Sequence, residues 1–400
     1  MKRVCSICSQ ILQLIPRQSF PAAVEKPQAE RPARGFSSWS QWASMLFCQL
    51  AQAKSLREIS EGLQAHADKL KPLGLSAAPA RSTLAYANRH RPRQLFETVL
   101  QQLLAQCRKR RGVAKAGAKL GLPGKLLSLD ATVVDLCAAV FDWAEFRATK
   151  GAVKLHVVLD HDGYLRGYAV ITTGRVHESQ VARQIRWPRG SRLVFDRGYT
   201  DYAWLQQLAE EDIHFVTRLK HKARYVVLER RPYCREEGIR SDEIIVLAQQ
   251  ARSETAPFLR PVRYWDQEKR RELVFLTNHL ELPATTVAAI YKERWQIELL
   301  CKALKQNLRI KTFVGTTANA VQTQIWSALM ALLAAKFLPL QAPLFWSFSR
   351  LLALLRQQLF ADLDLGRWLA SPFERLPQQA ARIRLPALLG PAEKQRCGPV

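Results

Sequence analysis

The sequence predicts an α/β protein: a mixed β-sheet flanked by helices, interrupted by a β-rich insertion and preceded by a helical N-terminal domain. Three observations lead there. From about Ser38 to Gln106 apolar residues recur at helical spacing. From Lys125 the periodicity turns to strands, which then alternate with helices, and between residues 221 and 280 short β-like runs are separated by charged turns. With 400 residues, 48% of them hydrophobic, the chain can bury a large core in two or three domains.

Residues 1–35 carry Pro16, Pro21, Pro27 and Pro32 among charged residues, which predicts a poorly ordered start. Residues 36–112 read as a helical domain. Trp39, Trp42, Met45, Leu46 and Leu50 fall on one helical face, and Ser55 with Glu58 forms a capping box before Leu56, Ile59 and Leu63. Ser82 is placed to cap a third short helix through Arg91, and a longer one runs from Pro92 to about Gln106. The run Arg108–Arg111, closed by Gly112, reads either as a linker touching phosphate or as a solvated helix end.

Residues 122–220 supply the strands KLLSLD, AVKLHVVLD and YLRGYAVITT, the last two joined by a turn at His161, Asp162 and Gly163. A helical segment near His177–Ile185, the strand RLVFD, a helix from Asp201 and the strand IHFVTRL follow. Three strands in sequence and then alternating helix and strand is the order expected of a ribonuclease-H-like mixed sheet, an analogy of fold alone. Residues 221–280 form the β-rich insertion, 281–345 return to the core, and 346–400 hold a C-terminal helix and tail.

Candidate chemistry gathers on three acids. Asp130 ends KLLSLD and Asp196 ends RLVFD, each an acid at the tip of a predicted buried strand. The stretch YKERWQIELLCKALK spaces Tyr291, Arg294, Glu298 and Lys305 by three, four and seven residues, which keeps them on one broad helical face beside Ile297, Leu300 and Leu304. Taken alone, Arg294 and Glu298 could be an ordinary solvated i,i+4 pair. Together with two strand-end aspartates, however, a helix-borne glutamate can converge on one point and hold two Mg²⁺ ions, with the basic groups on flanking phosphates.

The spacing Y-(2)-R-(3)-E-(6)-K, with SLDATVVDL, KLHVVLDHDG, FDRGYTDY and KTFVGTTANAVQTQIW around it, resembles the DDE transposases of the bacterial insertion sequence 4 family, from about residue 30 to 365. The resemblance implies cut-and-paste transposition: binding of inverted-repeat ends, phosphodiester cleavage with two Mg²⁺ (Mn²⁺ in substitution) held by Asp130, Asp196 and Glu298, and joining of 3′ ends to target DNA. It implies phosphate contacts by Arg294 and Lys305, hydrogen bonding or stacking by Tyr291, and a flipped base stacked on an insertion aromatic, for which Trp265 is the candidate. It also implies an end-binding N-terminal domain, where Ser82, Thr83, Tyr86, Asn88, Arg89 and Arg91 suit a helix-turn-helix reader, and a homodimer when two ends are brought together. The alternatives are a catalytically inactive DNA-binding remnant and a ribonuclease-H-like nuclease acting on other substrates.

Composition agrees with a nucleic-acid partner. Sixty Lys and Arg against 34 Asp and Glu give a formal charge of +26, an excess that a polyanion neutralises. The basic residues are spread along the chain rather than gathered on one amphipathic helix, which argues against a membrane-surface protein. The apolar run Ile325–Leu340 is broken by Lys336 and Pro339 and is too short to span a bilayer, and no secretory signal stands out, so a cytoplasmic protein is expected. Cys5-x-x-Cys8 lacks a second pair for zinc, and Gly121–Gly124 lacks P-loop spacing. Asp135, Asp142, Asp160 and Asp162 read as structural, and His177 as a helix cap.

Overall fold

The computed structural model describes residues 5–15, 17–25, 35–109, 122, 124–137, 140–141, 143–147, 150–161, 168–248, 256–308, 310, 312–341, 344 and 346–373. The turn residues Asp162 and Gly163, Asp142, the basic residues Arg110 and Arg111, and the tail from residue 374 lie outside them.

The N-terminal part is helical: α1 (Ile7–Leu12), α2 (Phe20–Glu25), α3 (Ser38–Ala51), α4 (Leu56–Gln64), α5 (Leu70–Leu73), α6 (Arg81–His90) and α7 (Gln94–Lys109). Residues 5–15 and 17–25 therefore depart from the poorly ordered start that their prolines suggest. Ile7 and Ile11, one turn apart, are buried with Phe20 and Ala23, and Ser6 caps α1 by accepting from the Ser9 amide. Helix α6 begins at Arg81 with no side-chain cap, so Ser82 is an exposed first-turn residue rather than the cap. Asn88 is buried instead of facing out, its Oδ1 accepting from Gln41 Nε2 at 2.8 Å.

Among the described residues ten strands form one mixed sheet: β1 (Leu126–Leu136), β2 (Glu145–Arg147), β3 (Lys150–Asp160), β4 (Tyr168–Thr173), β5 (Arg192–Phe195), β6 (His214–Arg218), β7 (Tyr225–Arg230), β8 (Ile239–Leu247), β9 (Arg260–Asp266) and β10 (Arg271–Thr277). Their order is β2-β3-β1-β5-β6-β10-β9-β8-β7, with β4 also on β3. Strand β1 is antiparallel to β3 and parallel to β5, and β5 is parallel to β6. The strands of residues 221–280 extend this sheet, because β10 pairs antiparallel with β6.

Helices α8 (Glu178–Gln184) and α9 (Tyr202–Glu210) cover one face through Ala182, Trp204 and Leu208 over Leu127, Leu129 and Phe195. Helix α10 (Ala284–Glu293) covers the other, with Val287 and Ile290 over Leu126, Val194 and Val216. Helix α11 (Trp295–Asn307) then passes to a second core. There it meets α12 (Ala318–Phe337), a helix that is apolar nearly all round and is surrounded accordingly. Helices α3, α6 and α7 pack on α12, and Asn319 Nδ2 donates to the Asn88 and Arg91 carbonyls at 2.8 and 2.7 Å. One continuous apolar core thus joins the N-terminal helices to α12, α13 (Phe348–Gln358) and α14 (Leu365–Ala370). No helix among the described residues is long and apolar enough to cross a membrane.

Candidate active site

Alternation along β1 places Leu127 and Leu129 on the α8–α9 side, and Leu126, Ser128 and Asp130 toward α10 and α11. The parallel register with β5 ends at Leu129 opposite Phe195, so the next residues, Asp130 and Asp196, stand side by side. Asp196 directly follows its strand, which ends at Phe195, rather than being its last residue. Asp130 lies within its own: β1 continues to Leu136, because β3 still pairs with it where β5 has stopped. The acid sits where the parallel neighbour ends rather than at a strand tip.

Asp196 caps the turn that follows it, its Oδ1 accepting from the Gly198 amide at 2.8 Å. Glu298 lies in the first turn of α11 and is ion-paired with Arg294. The segment Tyr291–Lys305 is two helices and not one. Arg294 joins them through i,i+3 bonds, its amide to the Tyr291 carbonyl at 3.2 Å and its carbonyl from the Ile297 amide at 3.1 Å. The break has a packing reason: Ile290 belongs to the sheet-facing core and Ile297 to the α12 core, so the chain turns between them.

Burial pushes the Asp130 carboxyl up to about 7. The Arg294 guanidinium opposes that rise, while Asp196 and Glu298 add to it as neighbouring negative charges. The charges of Asp196, Glu298 and Arg294 are thus all felt at Asp130. The Arg294 guanidinium lies 5.3 Å from the Tyr291 ring, which packs 4.8 Å from Phe275. Lys305, half-buried, is in the last turn of α11, about 10 Å along the axis from Glu298 at 1.5 Å per residue. Trp265 is on β9, opposite Glu272, with Arg240 5.9 Å over its ring.

Several further residues gather here that no motif in the sequence singles out. Arg218, Lys220, His221 and Lys222 join Asp196, Arg197, Gly198, Tyr291 and Arg294 around a cleft of about 660 Å³. The basic word RLKHK directly after a buried strand is the signal that could have found them. Trp295, half exposed with Lys269 5.0 Å over its ring, directly follows Arg294. Glu178, in the first turn of α8, lies 3.7 Å from Lys154, and a Cβ on Gly198 would stand 3.0 Å from Asp196 Oδ1 and 3.1 Å from Glu178 Oε2. Tyr199 is fully buried, its hydroxyl without a hydrogen-bond partner and its phenol pushed up by burial and by Asp130, Glu178 and Asp196. His177 caps α8 through Nδ1, and Asp135 is exposed opposite Ala152.

Among the described residues no three His, Cys, Asp or Glu side chains stand close enough to enclose one ion as they lie. Their chemistry nevertheless fits a hard divalent cation. Oxygen donors dominate, the gap at Gly198 is one that a Cβ would fill, and the buried Tyr199 hydroxyl is without a partner.

The model of the family described as Transposase DDE domain matches residues 122–334, and that of Domain of unknown function (DUF4372) matches residues 4–76. A protein of Sinorhizobium fredii named putative transposase y4zB is 32% identical over 272 residues, covering 66% of this chain and 72% of its own. A probable transposase for insertion sequence element IS5377 from Geobacillus stearothermophilus is 27% identical over 263 residues, 64% of this chain and 67% of its own. A putative transposase for insertion sequence element IS4SA from Synechocystis is 25% identical over 263 residues, 64% of this chain and 71% of its own.

Proposed function

The chain belongs to the transposase DDE domain family, and from that premise we propose that it binds the inverted-repeat ends of an insertion sequence of the insertion sequence 4 type, cuts them, and joins the 3′ ends to target DNA. The observation that carries this reading is that Asp130 stands beside Asp196 and feels the charges of Glu298 and Arg294, while Asp196 and Arg294 line a cationic cleft. The sheet order β4-β3-β1-β5-β6, three antiparallel strands followed by parallel ones joined through helices, is in keeping with a ribonuclease-H-like core.

Asp130, Asp196 and Glu298 would hold two Mg²⁺ ions, or Mn²⁺ in their place. When bound, such ions polarise a phosphodiester and lower the pKa of water or of a DNA 3′-hydroxyl. The chain's own groups do the positioning. Arg294 is paired with Glu298 and stacked on Tyr291, so it can hold a phosphate beside the acids while keeping the glutamate oriented. Arg218, Lys220 and Lys222 line the approach for the rest of the backbone, with Lys305 further along α11, and Trp265 or the exposed Trp295 offers a stacking face for an unpaired base. Exposed Arg81, Ser82, Thr83, Tyr86 and Arg89 on α6 form the surface that would read the ends. Two ends brought together call for two copies of the chain, acting on DNA in the cytoplasm.

Binding tests the partner directly. Affinity for a duplex carrying the element's inverted repeat is expected to exceed that for random duplex and to fall steeply with salt. The Lys220→Ala variant should weaken both about equally and lower the slope of log K against log salt by about 1. Salt-independent binding, or equal affinity for repeat and random DNA, would count against end recognition.

A further inference from the structure

Gly198 needs an explanation that its backbone does not provide. The described glycines with left-handed φ are Gly35, Gly74, Gly124, Gly190 and Gly238, and Gly198 is not among them, so an alanine would meet no conformational strain there. A side chain there would instead crowd two acids. Its Cβ would press on Asp196 Oδ1 at 3.0 Å and on Glu178 Oε2 at 3.1 Å, two carboxylate oxygens converging on one α-carbon. Two carboxylate oxygens bordering one small gap are a donor pair that a hard divalent cation can take up.

The nearest positive group to Glu178 is Lys154, but its Nζ lies 3.7 Å from Glu178 Oε1 while it donates to the Val176 carbonyl at 3.0 Å. A second observation points the same way. Tyr199 is 1% exposed, its buried hydroxyl has no hydrogen-bond partner, and Asp130, Glu178 and Asp196 act on its phenol as negative charges. A buried hydroxyl so placed suits a ligand or a bound water that bridges it to the carboxylates. Gly198 is exposed and opens onto the cationic cleft, so the gap is reachable from the side where a phosphate would lie.

We infer that Glu178 is a fourth carboxylate of this site, which with Asp196 takes up a hydrated divalent cation in the gap left by Gly198. The inference rests on the assignment of Asp130, Asp196 and Glu298 to one acidic site and adds to it a ligand residue on α8. An ordinary role for Glu178 is a first-turn acid that favours the α8 N-terminus and pairs with Lys154.

Mn²⁺ binding to the full-length chain without DNA, followed through the electron paramagnetic resonance signal of free Mn²⁺, separates the two. Glu178→Gln and Gly198→Ala are each expected to weaken Mn²⁺ binding at least about tenfold, with the metal-free circular dichroism spectrum unchanged. Wild-type affinity in both variants would overturn the inference. The Asp196→Asn variant tells which level has failed. If it alone loses Mn²⁺, only the Glu178 assignment falls; if it too binds like the wild type, the acidic site falls with it. Should Glu178→Gln not fold, Gly198→Ala makes the same test, since the backbone there accepts alanine.

Discussion

The Asp196→Asn variant is expected to cut the repeat-end duplex at least about a thousandfold more slowly than the wild type, a loss of about 4 kcal/mol of transition-state stabilisation. The substitution isolates charge from structure. Asparagine keeps the Oδ1 that accepts from the Gly198 amide, so the turn after β5 can persist. The Thr217 hydroxyl, which donates to the Asp196 main-chain carbonyl at 3.2 Å, is also untouched. What disappears is one negative charge beside Asp130. Affinity for the duplex should stay within about threefold, because phosphate binding draws on the cations of the cleft. A variant that cuts at the wild-type rate would remove Asp196 from the site.

The largest effect on stability is expected at Asp242. Its carboxylate takes a bidentate pair from Arg260, Nε to Oδ1 at 2.7 Å and the second terminal nitrogen to Oδ2 at 2.6 Å, with both side chains at most 4% exposed. Arg260 also donates to the Leu280 carbonyl at 3.0 Å, so the pair ties β8 and β9 to the segment that enters α10, the helix carrying Tyr291. Replacing Asp242 by Ala leaves a guanidinium buried without its counter-charge and should cost about 3–5 kcal/mol in urea unfolding. The double variant Asp242→Leu with Arg260→Met should recover most of that loss, since a buried ion pair replaced by apolar groups of similar size is often near neutral. If the single substitution costs under about 1 kcal/mol, the pair does not anchor the sheet in this way.

Much of the sheet and its flanking helices is legible in the sequence, because each strand in question carries β-branched or aromatic runs bounded by turns and each helix a stripe of apolar residues. Where β1 ends is not. Asp130 reads as a terminus because it interrupts the apolar run. Yet Thr132, Val133 and Val134 continue the strand against β3, and only the parallel register shows why the acid matters. The break at Arg294 is likewise hidden. The offsets from Tyr291 to Lys305 fit one helix, and the choice between two cores that bends it depends on partners far away in the chain. Asn88 and Ser82 look alike as polar helix residues, and only the packing of α6 on α3 and α12 buries the first and exposes the second. Glu178 and Gly198, twenty residues apart, meet because α8 returns over the end of β5, a contact that no local spacing encodes.

The most direct measurement is cleavage of a duplex spanning the element's inverted-repeat boundary, with Mg²⁺ or Mn²⁺, by the wild-type chain and by Glu298→Ala. The expected result is a nick or double-strand break at the boundary that requires the cation and is lost in the variant. Binding of the repeat without any cutting by the wild type would contradict a cleaving transposase and leave a DNA-binding remnant, and cutting that survives in Glu298→Ala would remove the α11 glutamate from the chemistry.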